Sequence, residues 1–177
     1  RYLVETNCYR EYYAKKQDSM ATYMEELGYY TMAFHPYDQE FWSRDVGYEN
    51  MGFDMFYSND DFRNTQMCHG YISDKSMTKE IIERFEERKG IQPEQPVFTF
   101  AVSVQNHVNN MKYFDEAQAK TDCTGITTKV VSGKTVDAET LDNVEEYYNG
   151  MRESIEALEE LIQYFEEYEE DTIIVFF

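Results

Sequence analysis

Apolar positions recur at helical spacing in some stretches of this chain and run together without charges in others. Met20, Tyr23, Met24 and Leu27 repeat three and four apart, behind Asp18 or Ser19 as a cap and ahead of Gly28 as a stop, which predicts a short helix. Tyr30–Phe34 follows as a buried strand. A second helix is predicted from about Asp74 to Lys89, with Met77, Ile81, Ile82 and Phe85 on one side and Gly90 ending it. Val97–Val104, after Pro96, reads as another strand. The longest helical pattern runs from about Ala138 to Tyr168, with Leu141, Val144, Tyr148, Met151, Ile155, Leu158, Ile162 and Phe165 on one stripe. At 1.5 Å per residue such a helix spans about 45 Å, enough to cross a sheet. Gly150, Ser154 and Ala157 interrupt it at helical spacing. Because Gly costs about 1 kcal/mol relative to Ala inside a helix, close packing is the expected reason. Glu166–Glu170 is a solvated end, and Ile173–Phe177 reads as a last strand.

Helices alternating with continuously apolar strands predict an α/β fold, a mostly parallel sheet covered by helices on both faces. One partial domain over residues 1–177 is expected. Residues 108–137 lack an amphipathic pattern and are long for a connection, so a loop or small excursion is expected there, with a hairpin about Ser132-Gly133.

Charge narrows the function. Thirty-five Asp and Glu against 16 Lys and Arg give a formal charge of -19, which repels nucleic acid and anionic lipid. A phosphate-bearing substrate therefore needs a local cationic pocket or a bound metal. No run approaches the roughly 18 apolar residues that cross a bilayer. Arg1–Glu5 show no signal peptide, and the N-terminus reads as cut. Cys8, Cys68 and Cys123 form no C-x-x-C pattern and leave pairing open.

Candidate chemistry collects at strand ends. His35 directly follows one predicted strand and Gln105-Asn106-His107 another, which places both on the carboxyl edge of a parallel sheet, where open α/β sheets bind ligands. Two imidazoles on one edge suit acid–base work. Ser43 can cap a helix ending near Met51-Gly52. Arg44 in its first turn would then make an anion site from a guanidinium and free backbone N–H groups; the plain alternative is a surface Arg paired with Asp45 or Glu49. Trp42 is either a core plug or a pocket wall. Asp38 either orients His35 or serves a turn, and His69 is assigned a structural role.

His35-Pro36-Tyr37, Phe41–Asp45, Tyr48–Phe56, Gly70–Lys75, Val104–His107 and Tyr148–Ser154, in that order, resemble the lipoteichoic acid synthase family, membrane-anchored phosphoglycerol transferases of the alkaline phosphatase and sulfatase superfamily. The resemblance implies an extracellular α/β domain, a divalent metal (manganese or magnesium) and a threonine that carries a phosphoglycerol intermediate. It implies that His35, Trp42 and Arg44 hold the phosphoglycerol head group and that His107 stands beside the leaving or attacking glycerol oxygen. The implied partners are a phosphatidylglycerol-type lipid head group or a glycerol-phosphate polymer, and the implied address is the outer face of the cell membrane.

Tyr37 stands where the best-known synthases carry an acid. The metal ligands and the nucleophile are expected in segments flanking this chain, so Arg1–Phe177 alone is expected to be inactive and to ligate no metal fully. Two other readings are a sulfatase-like hydrolase, whose Cys- or Ser-x-Pro-x-Arg motif does not start at any of the three cysteines, and a noncatalytic domain that binds anionic head groups.

Overall fold

The computed structural model describes residues 7–107, 130–131, 134–135 and 138–177. The described residues group into two compact units. One holds those up to Thr65 together with Lys79–Ser103; the other holds Gln66–Thr78 and those from Val104 onward.

In the first unit, helix α1 (Cys8–Glu11) is capped by Asn7, whose side chain accepts from the Tyr9 and Arg10 N–H groups. Helix α2 (Met20–Glu26) begins at Ser19, which resolves the choice between Asp18 and Ser19. Ser19 Oγ accepts from Ala21 and Thr22 N–H while the Thr22 hydroxyl accepts from Ser19 N–H, a reciprocal cap. Gly28 follows at φ +89°, a conformation that costs Gly little.

Strand β1 (Tyr30–Phe34) lies between β2 (Met55–Tyr57) and β5 (Val97–Ala101), parallel to both, with Met32 opposite Met55 and Thr99. Thr31, Met32, Ala33 and Phe34 are fully buried, which is why this strand reads as an unbroken apolar run. Its one polar member is satisfied locally: Thr31 N–H and Oγ1 both donate to Asp54 Oδ2, at 2.8 and 3.0 Å. Phe34 stacks on Tyr57 at 4.9 Å and meets Phe62 edge-on. Helix α3 (Arg44–Asn50) buries Tyr48, which stacks on Phe56 at 4.3 Å.

Helix α4 (Asp74–Ile91) outruns its predicted end. Gly90 lies within the helix, and termination coincides with Gln92-Pro93, since a residue before proline resists helical backbone. Its buried positions in the first unit include Ile81, Phe85 and also Glu80. Glu80 accepts from the N–H groups of Arg63 and Asn64 and pairs with Arg63 and Arg84 at 3.2 and 2.9 Å. Burial pushes its pKa up, but these bonds and guanidinium charges prevail and hold it below the usual carboxylate value.

In the second unit, strands β3 (Met67–Cys68) and β4 (Tyr71–Ile72) pair antiparallel around His69 and Gly70, both at positive φ, the pattern of a tight two-residue hairpin. Strands β6 (Val130–Val131) and β7 (Lys134–Thr135) pair antiparallel, in line with the expected hairpin; the rest of 108–137 lies outside the described residues, as does Cys123. Helix α5 (Ala138–Glu166) forms where predicted, with a different face buried. Val144, Tyr148, Met151, Ile155 and Ile162 of the apolar stripe are exposed, whereas Asn149, Gly150 and Ala157 are buried. Ile173–Phe177 forms no strand with the described residues and is largely exposed.

The parallel α/β expectation holds. Cys8 is a free thiol. No helix among the described residues is long and apolar enough to cross a membrane.

Candidate functional site

His35, Trp42 and Arg44 belong to the first unit and His107 to the second. His35 leaves β1 at the carboxyl ends of the parallel strands, as predicted. Its N–H donates to the Tyr57 carbonyl at 3.0 Å, at the end of β2, and its ring Nδ1 lies 2.8 Å from the Val102 carbonyl just past β5. A carbonyl only accepts, so Nδ1 carries the proton and a neutral ring has Nε2 as its acceptor nitrogen. The residue is 3% exposed. Asp38 does not orient this ring: its Oδ1 accepts from Glu40 N–H, the turn role.

From His35 a line of rings leads outward. Tyr37 meets His35 edge-on at 6.3 Å, Phe41 meets Tyr37 at 5.4 Å, and Trp42 stacks on Phe41 at 5.7 Å. Phe41 is 47% and Trp42 48% exposed, so Trp42 is not a core plug. The Arg44 guanidinium sits among rings, 5.3 Å from Trp42, 5.7 Å from Tyr9 and 5.8 Å from Phe41. One of its five N–H donors is used on the Phe41 carbonyl at 2.9 Å. Among the described residues it forms no ion pair, whereas Arg63, Arg84 and Arg152 each meet glutamates.

Helix α3 begins at Arg44 as the sequence suggests, but the anticipated cap is absent. Ser43 has φ +56° and makes no side-chain bond to the helix start; its Oγ accepts instead from Arg10 Nε at 3.2 Å. Trp42 also has positive φ, +64°. Such backbone costs about 1–3 kcal/mol for residues other than glycine and persists where surroundings hold it, often where a ligand binds. The guanidinium and its rings thus stand at the start of α3, whose first N–H groups receive no bond from the Ser43 side chain.

In the second unit, β5 having stopped at Ala101, Gln105-Asn106-His107 form a turn some way beyond the strand. Gln105 is 1% exposed; its Oε1 accepts from Asp74 N–H at 2.8 Å and its Nε2 donates to the Gly150 carbonyl at 3.1 Å. Asn106 Nδ2 donates to Ser154 Oγ at 2.8 Å, and Ser154 Oγ donates to Asp74 Oδ2. Thr78 donates to the Ala157 carbonyl at 3.1 Å. The small residues of α5 thus make room for this network, as their spacing implied. A Cβ on Gly150 would overlap Asn106 Oδ1 and the buried His69 ring. The turn holds His107 exposed, with its N–H donating to the Val104 carbonyl. His69 is a hairpin residue packed at Gly150.

Residues 2–177 match the family model described as sulfatase. The chain belongs to the sulfatase family. A "Putative cyclic beta-1,2-glucan modification protein" of Rhizobium meliloti (strain 1021) is 33% identical over 169 residues, covering 96% of this chain and 24% of that protein. Among solved structures, the lipoteichoic acid synthase LtaP from Listeria monocytogenes superposes with a TM-score of 0.69 at 20% identity, over 92% of this chain and 36% of its own. The Streptococcus pyogenes phosphoglycerol transferase GacH, in complex with sn-glycerol-1-phosphate, gives 0.56 at 21% identity, over 78% of this chain and 33% of its own. This sulfatase-family chain therefore spans about a quarter to a third of the proteins it resembles, and its likeness to the lipoteichoic acid synthases stands at the level of fold and superfamily. The family implies a divalent metal. Among the described residues no three His, Cys, Asp or Glu side chains gather to hold one, so no step is assigned to a metal on these residues.

Proposed function

We propose that the intact protein transfers a phosphoglycerol or related phospho-alcohol group at the outer face of a membrane, and that Arg1–Phe177 carries the substrate-holding side of the site. In this reading Arg44 neutralises the phosphodiester, Trp42 covers the glycerol carbons, and His35 supports the same pocket. His107 passes a proton to or from the glycerol oxygen. The threonine nucleophile and the divalent ion implied by the resemblance are supplied by residues other than those described.

One observation carries the reading. In a chain of charge -19, the half-buried Arg44 guanidinium lies among three rings with no carboxylate partner among the described residues. Anions recruit such a group readily, because four N–H donors remain and the aromatic faces hold the cation without quenching its charge. The donor proposed is a phosphatidylglycerol-type head group. The acceptor proposed is a sugar hydroxyl, in keeping with the glucan in the name of the Rhizobium relative, with a growing glycerol-phosphate polymer as the competing outcome. Exposed stacked rings at Phe41 and Trp42 favour the sugar, since ring faces pack on sugar C–H surfaces.

The test is Arg44→Ala in the intact protein. Glycerol-phosphate transfer from phosphatidylglycerol falls by about two orders of magnitude, as for loss of a charge-stabilising donor, while the melting temperature stays within about 2 °C. A large loss of melting temperature, or unchanged transfer, overturns the assignment. Product analysis with cyclic glucan and with glycerol-phosphate polymer as acceptors separates the two acceptor classes.

A further inference from the structure

The strained turn that presents Arg44 is held by α1, a segment outside the ring of residues assigned so far. Two contacts do this. Arg10 Nε donates to Ser43 Oγ at 3.2 Å, and the Tyr9 ring lies 5.7 Å from the Arg44 Cζ. Tyr9 is itself seated firmly. Gly47 leaves open the space that its ring fills, since a Cβ there would overlap Tyr9 Cδ1. The Tyr9 hydroxyl reaches that of Tyr48 at 3.5 Å, and the two rings are 5.7 Å apart. Tyr48 is fully buried and stacked on Phe56 of β2. A continuous chain of ring contacts thus runs from the sheet through Tyr48 and Tyr9 to the guanidinium.

We infer that Tyr9 and Arg10 are positioning residues that keep the Trp42–Ser43–Arg44 turn in its anion-binding form, Tyr9 by bracing the guanidinium and Arg10 by fastening the Ser43 hydroxyl. The inference rests on the reading of Arg44 as the group that meets the substrate phosphate. Bracing matters because an unbraced Arg samples many rotamers and must be ordered by each incoming ligand, which weakens binding. Fastening matters because the turn's positive-φ residues, Trp42 and Ser43, have extended or helical backbone as their relaxed alternative. Either relaxation swings Arg44 away from its rings. Neither Tyr9 nor Arg10 needs to touch the phosphate for this.

The experiment measures binding of sn-glycerol 1-phosphate to the intact protein by calorimetry, with a thermal midpoint for every variant. Arg44→Ala is expected to abolish measurable binding at millimolar probe. Tyr9→Leu and Arg10→Ala are each expected to raise Kd about tenfold, the scale of ordering one rotamer-rich side chain on binding. Tyr9→Phe, which keeps the ring, is expected within about twofold of the parent, and Arg10→Lys, which keeps a donor near Ser43, is expected to recover part of the loss. Charge at position 10 acting directly would instead make Kd follow ionic strength differently in Arg10→Ala than in Tyr9→Leu, and that result overturns the positioning role of Arg10. Arg10 is exposed, so its variants fold even where Tyr9→Leu does not. If Arg44→Ala weakens binding while Tyr9→Leu and Arg10→Ala stay within twofold of the parent, the inference fails and the reading of Arg44 stands. If the parent does not bind the probe, or Arg44→Ala binds it equally well, the reading of Arg44 fails and takes the inference with it.

Discussion

Gly150 sets two effects of opposite sign against each other. It lies inside α5, where replacing Gly by Ala in an open helix gains about 1 kcal/mol. In this helix the new methyl group would overlap Asn106 Oδ1 and stand 2.7 Å from His69 Cε1. Asn106 can rotate, but doing so gives up its 2.8 Å bond to Ser154, worth about 1 kcal/mol. The His69 ring cannot retreat easily, being 5% exposed and fixed in a hairpin turn at φ +53°. Overpacking of this kind costs about 1–3 kcal/mol. Together the losses exceed the propensity gain, and Gly150→Ala is expected to destabilise by about 1–3 kcal/mol. Gly90→Ala is the matched control, because nothing lies within 4 Å of a Cβ there, near the end of α4. It is expected to stabilise by up to about 1 kcal/mol. Urea unfolding of both variants, read by far-ultraviolet circular dichroism with equal m-values required, decides the matter. A Gly150→Ala protein as stable as its parent would refute the packing of Asn106 and His69 against this helix. Because Asn106 adjoins His107, transfer activity should fall with the same variant.

Other perturbations have defined outcomes. Glu80→Gln leaves the guanidinium groups of Arg63 and Arg84 facing a neutral amide, and the expected loss is about 3 kcal/mol in urea unfolding, the scale for breaking a buried pair; a loss under about 1 kcal/mol contradicts the network. Acid dependence follows from the same residue. The Glu80 pKa is held below its ordinary value in the folded chain, so its stabilisation is complete above the unfolded value and drains away as pH falls through the carboxylate range to the folded one. Unfolding midpoints at pH 7 and pH 3.5 should therefore differ less for the E80Q variant than for the parent. Gln105→Ala removes bonds to Asp74 N–H and the Gly150 carbonyl in a buried setting and is expected to lower the melting temperature by several degrees. His107→Ala, on an exposed residue, is expected to leave stability within about 0.5 kcal/mol while transfer falls about 10²-fold.

Legibility in sequence followed signal length. The α2 cap at Ser19, β1 and the start of β5 were readable because a cap, a run of apolar residues and a proline each impose local physics that tertiary packing did not reverse. β2 spans three residues, too few for a periodicity, and became a strand through pairing with β1. Glu80 shows the converse limit: a lone acid in a charged helix reads as solvated, and the N–H groups of Arg63 and Asn64 that help satisfy it once buried lie sixteen or more positions earlier. In α5 the apolar stripe was legible, but which face is buried was decided by polar groups on Gln105, Asn106 and Thr78 that need small neighbours. The Arg44 site was visible as a residue cluster. Its actual construction was not, because Tyr9 and Arg10 lie more than thirty residues upstream and the left-handed turn at Trp42-Ser43 carries no glycine to announce it.

The most direct measurement is a crystal structure of the intact protein with sn-glycerol 1-phosphate bound. The phosphate is expected within hydrogen-bonding distance of the Arg44 guanidinium, about 2.7–2.9 Å for a charge-assisted bond, with the glycerol carbons over Trp42. A phosphate bound elsewhere, with Arg44 still turned only to the Phe41 carbonyl, would contradict the account.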